Sequence, residues 1–224
     1  MKMRKIIALM PLKANSSRVP GKNFKPLNGK PLFRWMLDKL LASDKIDQVI
    51  INTDAHTELE AAGLPDSAKL VIRNRKTELR GDGVSMNLVL ADDVANSDAD
   101  VYLMTHTTNP FISLKTINKA IDAFCENPST DSLFTVNRMQ TRFYDENVKA
   151  INHDSDNLIP TQDLEPWFEE NSCLYLFTKE SFEKTNARIG ESPIMFETSK
   201  LESVDIDEPQ DWQLAEVLAP AMKG

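Results

Sequence analysis

The sequence contains little cysteine and no long apolar run. Its 224 residues include two cysteines, Cys125 and Cys173, which show no metal-ligand spacing and are too few for a disulfide framework. Free thiols favour a reducing, cytoplasmic location. No apolar stretch approaches the roughly 18 residues of a membrane-spanning helix, so we expect no membrane partner. Hydrophobic residues at 41% and charged residues at 27% are typical of a folded globular protein and exclude a disordered chain.

Acidic side chains are absent from residues 1–34, although the chain carries a net charge of -8. Residues 1–50 contain eleven Lys and Arg but three Asp and Glu, so the other 174 residues carry -16. One concentrated basic segment in an acidic protein indicates a local anion site, and we expect no nucleic acid partner. On charge alone, a solvated basic segment without a ligand is the alternative.

Short apolar runs alternate with helical patterns over the first 136 residues. Strands are predicted at residues 5–11, 48–52, 69–72, 100–104 and 132–136, and helices directly after Pro31 and at 56–62, 84–94 and 116–124. This alternation predicts an α/β domain with a mainly parallel sheet.

Residues 137–170 lack clear periodicity and predict an excursion from the sheet, as a hairpin, a lid or a dimerisation arm. A strand at 174–177, a helix at 179–185, a strand-like segment at 203–206 and a helix at 209–222 complete the prediction. The simplest interpretation is one domain over residues 1–224 with an insertion at about 137–170.

Residues 12–31 form a long loop rich in Lys, Asn, Ser, Gly and Pro, and such loops inside compact domains are usually functional or disordered. Small residues at 14–17 let backbone amides approach a ligand, while Arg18 and Lys22 are cations able to neutralise a polyphosphate. The sequence contains neither the Walker phosphate-binding motif G-x-x-x-x-G-K-S/T nor the dinucleotide-binding motif G-x-G-x-x-G. The residues therefore indicate phosphate binding, with a purely structural basic loop as the alternative.

The stretch LMPLKANSSRVPGKNFKPLNGKPL resembles the opening signature of the sugar-acid cytidylyltransferases, approximately IPARGGSKRIPGKNIKPLNGKPL. These enzymes activate sialic acid, related nonulosonic acids or KDO with CTP. The resemblance implies a three-layer, Rossmann-like fold of the nucleotide-diphospho-sugar-transferase type, with a mainly parallel sheet between helices. The chain departs from the signature at Lys13, where the family has Arg, at residues 14–15, where it has Gly-Gly, and at Ser17, where it has Lys.

For the loop, the resemblance implies a triphosphate cradle. Lys13, Arg18 and Lys22 are its candidate catalytic cations. The candidate nucleotide-binding positions of the same loop are Leu12, Ala14, Asn15, Ser16 and Asn23.

Two further matches follow in the family's order. Residues 51–54 (INTD) resemble V-S-T-D, and residues 75–82 (RKTELRGD) resemble R-P-x-E-L-x-x-D, with Ser85 three residues later. The resemblance implies that Arg75, Asp82 and Ser85 bind the nucleotide around its cytosine. A turn in which Asp82 caps the helix at 84–94 is compatible with the same residues.

Residues 103–110 (LMTHTTNP) take the place of the family's L-L-Q-P-T-S-P, without its Gln and with one residue inserted. The resemblance implies that Thr108 and Asn109 face the sugar, with His106 as a third candidate. A lone His more often makes a structural hydrogen bond, and this alternative stands beside the sugar-binding one.

Asp205 and Asp207 form a second constellation within VDIDEPQDW. In a strand the two carboxylates share one face and repel each other unless a cation lies between them. Hard oxygen ligands beside a phosphate substrate favour Mg²⁺. The pattern resembles the family's I-D-I-D-x-x-x-D, whose aspartate pair holds the catalytic metal, and Asp207 is also a candidate catalytic residue. Asp211 is interpreted as acting on the dipole of the closing helix.

Residues 170–175 (ENSCLY) resemble the family's E-N-G-A-I-Y, so Asn171 is expected to order the turn into the next strand. The resemblance as a whole implies CMP transfer from CTP to the anomeric hydroxyl of an acidic sugar, with release of pyrophosphate. It also implies a homodimer, for which Arg142, Phe143, Tyr144 and Trp167 form an interface or, alternatively, a lid. The other open functions are a different acceptor, such as a phosphonate or simple sugar, and a binding protein without activity.

Overall fold

The computed structural model describes residues 4–222; the ends of the predicted domain, 1–3 and 223–224, lie outside them. The strands are β1 (Ile6–Leu9), β2 (Pro26–Leu27), β3 (Lys30–Pro31), β4 (Gln48–Thr53), β5 (Leu70–Asn74), β6 (Val101–Thr105), β7 (Ser132–Met139), β8 (Trp167–Thr178) and β9 (Pro193–Glu197). The helices are α1 (Leu32–Ala42), α2 (His56–Ala62), α3 (Met86–Ala95), α4 (Leu114–Cys125), α5 (Lys179–Thr185) and α6 (Pro209–Leu218).

Seven strands form one sheet in the order β5-β4-β1-β6-β8-β7-β9, while β2 and β3 pair as a separate hairpin. β1 runs parallel to β4 and β6, β4 runs parallel to β5, and β7 runs parallel to β9. Only β8 within this sheet is antiparallel to its neighbours. The predicted mainly parallel α/β sheet is confirmed, and the loops after β1, β4, β5 and β6 meet at one edge.

Helices cover both faces of the sheet because β1 is apolar on both sides. Ile6 and Ala8 belong to a buried cluster with side chains of α1 and α4. Ile7 and Leu9 belong to a second cluster with side chains of α3 and α5. Side chains of a strand alternate between its faces, so an uninterrupted apolar strand of this kind needs cover on both. The result is the predicted three-layer arrangement.

A third apolar cluster joins the loop after β1 to α6. Val19 and Leu27 of the loop, Ile206, and Trp212 of α6 are buried together. Ile206 is completely buried. This packing fixes the position of residues 205–207 relative to the basic loop.

The sheet takes in more of the chain around the insertion than the sequence predicted. β7 continues to Met139 and β8 begins at Trp167, so the excursion comprises residues 140–166. The first four residues of β8 (WFEE) are exposed and do not alternate between apolar and polar side chains, which is the pattern of a half-buried strand. β9 was missed for a similar reason, since it is an edge strand with alternating exposed positions.

Two predictions near the end of the chain were wrong. Residues 203–206 belong to no strand; Ile206 N–H donates to the Thr108 carbonyl at 2.9 Å, and the apolar signal of Ile206 reflects its burial in the third cluster. α6 ends at Leu218 instead of residue 222, because Pro220 follows and lacks the N–H that a helix requires. Between residues 4 and 222, the helices are all too short or too polar to cross a bilayer.

Candidate active site

A cleft of about 490 Å³ opens at the edge where β1, β5 and β6 end, a size that suits a small-molecule ligand. Eleven of the predicted site residues line it: Lys13, Ser16, Arg18, Lys22, Asn23, Arg75, Asp82, His106, Thr108, Asp205 and Asp207. Asn15 lines an adjoining depression that also contains Asp54. The sequence therefore predicted most of the polar wall.

Four predicted residues line neither cavity: Leu12, Ala14, Ser85 and Asn109. Leu12 is buried and donates its N–H to the Asn52 carbonyl at 3.0 Å, while the Ala14 N–H donates to Asp54 Oδ1 at 3.0 Å. Leu12 and Ala14 therefore fix the backbone of the loop and do not line the cleft. Ser85 is an exposed residue before α3, and Asn109 is completely buried with no hydrogen-bond partner for its amide in the described part of the chain.

Lys22 and Arg18 both bind Asp207. Lys22 is buried, and its Nζ donates to the Ile206 carbonyl at 2.6 Å and to Asp207 Oδ1 at 2.9 Å. Arg18 lies 2.8 Å from Asp207 Oδ2 and 3.0 Å from Glu208 Oε1. Burial alone raises the pKa of Asp207, but the two cations outweigh it and hold that pKa below its ordinary value. Asp207 is thus ionised and binds both cations.

Asp205 has the opposite environment. It is half-buried, and its Oδ1 is enclosed without a hydrogen-bond partner among residues 4–222. Burial raises the pKa of Asp205, and the negative charge of Asp207 raises it further. A hydrogen bond with Thr108 lowers the same pKa but does not outweigh these two effects. An enclosed carboxylate oxygen without a donor is suited to a cation.

Asp205 offers a carboxylate oxygen that suits Mg²⁺, whereas both oxygens of Asp207 bind cations of the loop. No group of three His, Cys, Asp or Glu arranged for a metal occurs in the described ranges. Mg²⁺, however, is commonly held by one or two carboxylates together with phosphate oxygens and water. The enclosed Oδ1 of Asp205 can serve as one such carboxylate ligand, although the segment is not the predicted strand.

Asn23 braces the loop against the end of β6. Its Nδ2 donates to the Lys13 carbonyl at 2.8 Å, and its Oδ1 accepts from Thr107 Oγ1 at 2.6 Å. Both side chains are buried. Thr107 lines the cleft but was not predicted, because residues 103–110 align ambiguously with the family motif.

Lys13 reaches across the cleft to form an ion pair with Asp82. The hydrogen bond from Lys13 and its positive charge lower the pKa of Asp82. The two side chains are 40% and 63% exposed, so water screens the pair and it contributes little to stability. Such a pair opens at small cost when an anion competes for Lys13.

Arg75 sits beside an apolar wall that the sequence did not predict. Its guanidinium is buried against Asn52, and burial lowers the pKa of Arg75. The neighbouring wall consists of Leu79, Val84, Met86 and Val89. Met86 and Val89 share one face of α3 at a spacing of three, a pattern that also predicts an ordinary core position. An apolar wall with one guanidinium suits a heteroaromatic base.

His106 lines the cleft without a hydrogen bond to any described residue. Burial, together with the positive charge of nearby Arg188, lowers the pKa of His106 to about 4. The imidazole is therefore neutral near pH 7 and can accept a hydrogen bond from a ligand. The structural hydrogen bond that was the alternative for this residue does not occur among residues 4–222.

Ser172 is another cleft residue that the sequence did not predict. Its φ of +58° is a left-handed conformation, which explains why the E-N-G-A-I-Y motif has Gly at this position. Asn171 does not order a turn into β8, since it lies inside β8. Its amide donates to Asn137 Oδ1 at 3.0 Å and Thr198 Oγ1 at 2.7 Å, and so supports the irregular pairing between β7 and β8.

Comparison with known proteins connects this geometry to one family. The sequence is 29% identical to N-acylneuraminate cytidylyltransferase B of Danio rerio over 93% of the chain and 50% of the relative. The chain spans about half the length of the first curated relatives it matches. It is 25% identical to CMP-N,N'-diacetyllegionaminic acid synthase of Legionella pneumophila, over 96% of both chains.

The fold is also found among solved structures. CMP:2-keto-3-deoxy-manno-octonic acid synthetase in complex with CTP superposes with a TM-score of 0.68 at 14% identity, over 97% of this chain and 99% of the other. The sequence model of the family described as cytidylyltransferase matches residues 7–219, nearly the whole chain. The chain therefore belongs to the cytidylyltransferase family.

Proposed function

We propose that the chain transfers CMP from CTP to the anomeric hydroxyl of an acidic sugar, of the sialic acid, other nonulosonic acid or KDO type, and releases pyrophosphate. Family membership supports this, as do the names of the relatives from Danio rerio and Legionella pneumophila. The observation that carries the proposal is that the loop cations and the carboxylates of residues 205–207 line one cleft.

The reaction requires in-line attack of the sugar hydroxyl on the α-phosphorus while the bond to pyrophosphate breaks. Negative charge develops on the departing oxygen, and cations fixed beforehand stabilise it without reorganisation. Lys22, Arg18 and Lys13 are the candidates for this role. The N–H groups of residues 15–17 make no backbone or side-chain hydrogen bond among residues 4–222, so they are available to phosphate oxygens.

Asp205 and Asp207 would hold Mg²⁺. When bound, this ion supplies neutralisation of phosphate charge and polarisation of an oxygen ligand. The protein's own contribution is the ionised Asp207 and the enclosed oxygen of Asp205. Occupation by a cation would also relieve the raised pKa of Asp205, because the ionised form would gain a partner.

The two ends of the cleft suit different parts of the substrates. Arg75 and its apolar wall are the candidate cytosine end. His106, Thr108 and Ser172 are the candidate sugar end, where they provide hydrogen-bonding groups and, in His106, a neutral acceptor. Asn109 is buried and lines neither cavity, so it is not part of this surface.

The experiment that tests the function measures pyrophosphate release with CTP, Mg²⁺ and a panel of N-acetylneuraminic, legionaminic and pseudaminic acids and KDO. Release with at least one ulosonic acid, its loss in EDTA and its absence with CTP alone are the expected results. Release with only a phosphonate or a neutral sugar would contradict the acceptor class. CTP binding without release for any acceptor would show a binding protein.

A homodimer is part of the proposal. The excursion 140–166 and the adjoining start of β8 carry several exposed apolar side chains: Tyr144, Val148, Ile151, Leu158, Ile159, Trp167 and Phe168. Phe143 and Trp167 stack with ring centroids 5.3 Å apart, and Arg142 donates to the Ile159 carbonyl at 2.7 Å, so the surface is internally supported. Light scattering should give the mass of two chains, and a monomer at all concentrations would contradict this.

The proposed location is the cytoplasm. The two cysteines, Cys125 and Cys173, are both free in the structure, which suits a reducing compartment. Fractionation of expressing cells tests this directly, and recovery of the protein in the periplasm or medium would contradict it.

A further inference from the structure

Asn52 binds one side of the Arg75 guanidinium. Asn52 is the second-last residue of β4, where it pairs with Arg73 of β5 and is completely buried. Arg75 Nε donates to Asn52 Oδ1 at 3.0 Å, and Arg75 Nη2 donates to the Asn52 carbonyl at 2.7 Å. Nη1 makes no hydrogen bond within the described residues, so it is the guanidinium nitrogen left for a ligand in the cleft.

The other end of the Asn52 amide is fixed by a carboxylate. Asn52 Nδ2 donates to Asp93 Oδ1 at 2.8 Å, and the same oxygen binds Arg73. The Asp93 side chain is completely enclosed. Ionised Asp93 accepts only and Arg75 donates only, so the residue between them must donate at one end and accept at the other. An amide does this, and its orientation is thereby determined.

We propose that Asn52 is a positioning residue, which joins Asp93 to Arg75 and so fixes the guanidinium at the nucleotide end of the cleft and sets the affinity for CTP. The inference rests on the proposed function for the identity of the nucleotide. It concerns this chain in particular, because the similar V-S-T-D motif has Ser where this chain has Asn52. A serine hydroxyl is too short to replace both ends of the amide.

The measurement is CTP affinity by calorimetry for Asn52→Leu and Asn52→Ser. The leucine is nearly isosteric and removes both hydrogen bonds, so Kd should rise on the order of ten-fold or more, because a charged donor loses its acceptor. The Kd of Asn52→Ser for CTP should lie between those of Asn52→Leu and the wild type. This second variant also tests the inference if Asn52→Leu does not fold. The KM of the acceptor should stay unchanged in both.

The matched control is Asp92→Asn. Asp92 binds Arg73 at 3.0 Å and Lys76 at 2.6 Å in the same network, but it forms no hydrogen bond or ion pair with Asn52 or Arg75 among the described residues. This variant should lower the melting temperature and leave CTP affinity unchanged. It separates loss of stability from loss of positioning.

A double-mutant cycle with Arg75→Met decides whether Asn52 acts through Arg75. In that background, Asn52→Ser should weaken CTP binding no further. Wild-type affinity in both Asn52 variants, or an equal loss with and without Arg75, would overturn the inference. A wild-type protein that does not bind CTP would instead overturn the proposed function, so the two failures are distinguishable.

Discussion

The ammonium of Lys22 lies 2.9 Å from Oδ1 of Asp207, although 185 positions separate the two residues in the chain. Arg18 binds the second oxygen of the same carboxylate. Asp207 therefore orders two of the three candidate phosphate-binding cations while it remains ionised. A change at this one side chain removes a carboxylate partner from both cations.

Asp207→Asn should abolish most turnover. The variant keeps the size of the side chain but removes the charge that orients Lys22 and Arg18, and a loss of kcat on the order of 100-fold or more is expected. The measurement is the initial rate of pyrophosphate release. Glu208→Gln is the control, since Glu208 also binds Arg18 but does not line the cleft, and it should retain most activity. Equal effects of the two substitutions would contradict a special role for Asp207.

Lys22→Met should lower both activity and stability. The substitution keeps the aliphatic stem but leaves the Ile206 carbonyl and Asp207 without a buried donor, which costs about 1 to 3 kcal/mol of unfolding free energy. Activity should fall on the order of 100-fold. Urea unfolding and steady-state rates give the two quantities.

Lys25→Met supplies the comparison for Lys22. Lys25 is exposed, lies over the Trp212 ring at 4.0 Å and does not line the cleft. Lys25→Met removes one positive charge from the same loop, and the turnover of this variant should stay near the wild-type value. A similar loss of rate in both variants would indicate a general effect of loop charge.

Asp93 should make stability depend on pH. Burial raises the pKa of Asp93 from 3.8 to about 6, against the hydrogen bond from Asn52 and the charge of Arg73. The folded state binds this proton more tightly than the unfolded chain does. The stability that this provides is fully present below the unfolded pKa of 3.8, and it is lost as pH rises through the folded pKa of about 6. The full difference is at most about 3 kcal/mol.

The pH effect is measured by urea unfolding of the wild type and Asp93→Asn between about pH 4 and pH 7. The wild type should lose stability relative to the variant as pH increases. Parallel pH profiles would show that Asp93 titrates alike in the folded and unfolded states.

Ser172→Gly should stabilise the protein. Ser172 has a φ of +58°, and a left-handed conformation costs a residue with a Cβ about 1 to 2 kcal/mol. The hydrogen bond with Tyr175 at 3.1 Å is lost, so the net gain is about 1 kcal/mol or less. Asn186→Gly, at another left-handed position away from the cleft, should gain less because Asn tolerates this region. A lower melting temperature of Ser172→Gly would contradict the assignment of strain.

The basic loop could be predicted from the sequence because its cations are neighbours along the chain. Arg18, Lys22 and Asn23 share one segment, and the charge pattern and family signature both lie within it. The parallel arrangement of β1, β4 and β6 followed from the alternation of strands and helices. Fold and family were confirmed because these signals are local and repeated.

The hydrogen-bond and ion-pair partners of the site residues could not be predicted. No sequence spacing connects Lys22 with Asp207, or Arg75 with Asn52, since each pair meets only through the fold. Ser172 was missed because the resemblance predicted a glycine without a side chain. β9 was missed because an exposed edge strand has no continuous apolar signal.

Burial of Ile206 between the first loop and α6 has a consequence for refolding. The cleft is assembled from residues near both ends of the chain, which makes it a product of high contact order. Recovery of CTP binding after dilution from denaturant should therefore follow the return of helical circular dichroism and not accompany it. Nucleotide binding would then report the final docking step of the protein.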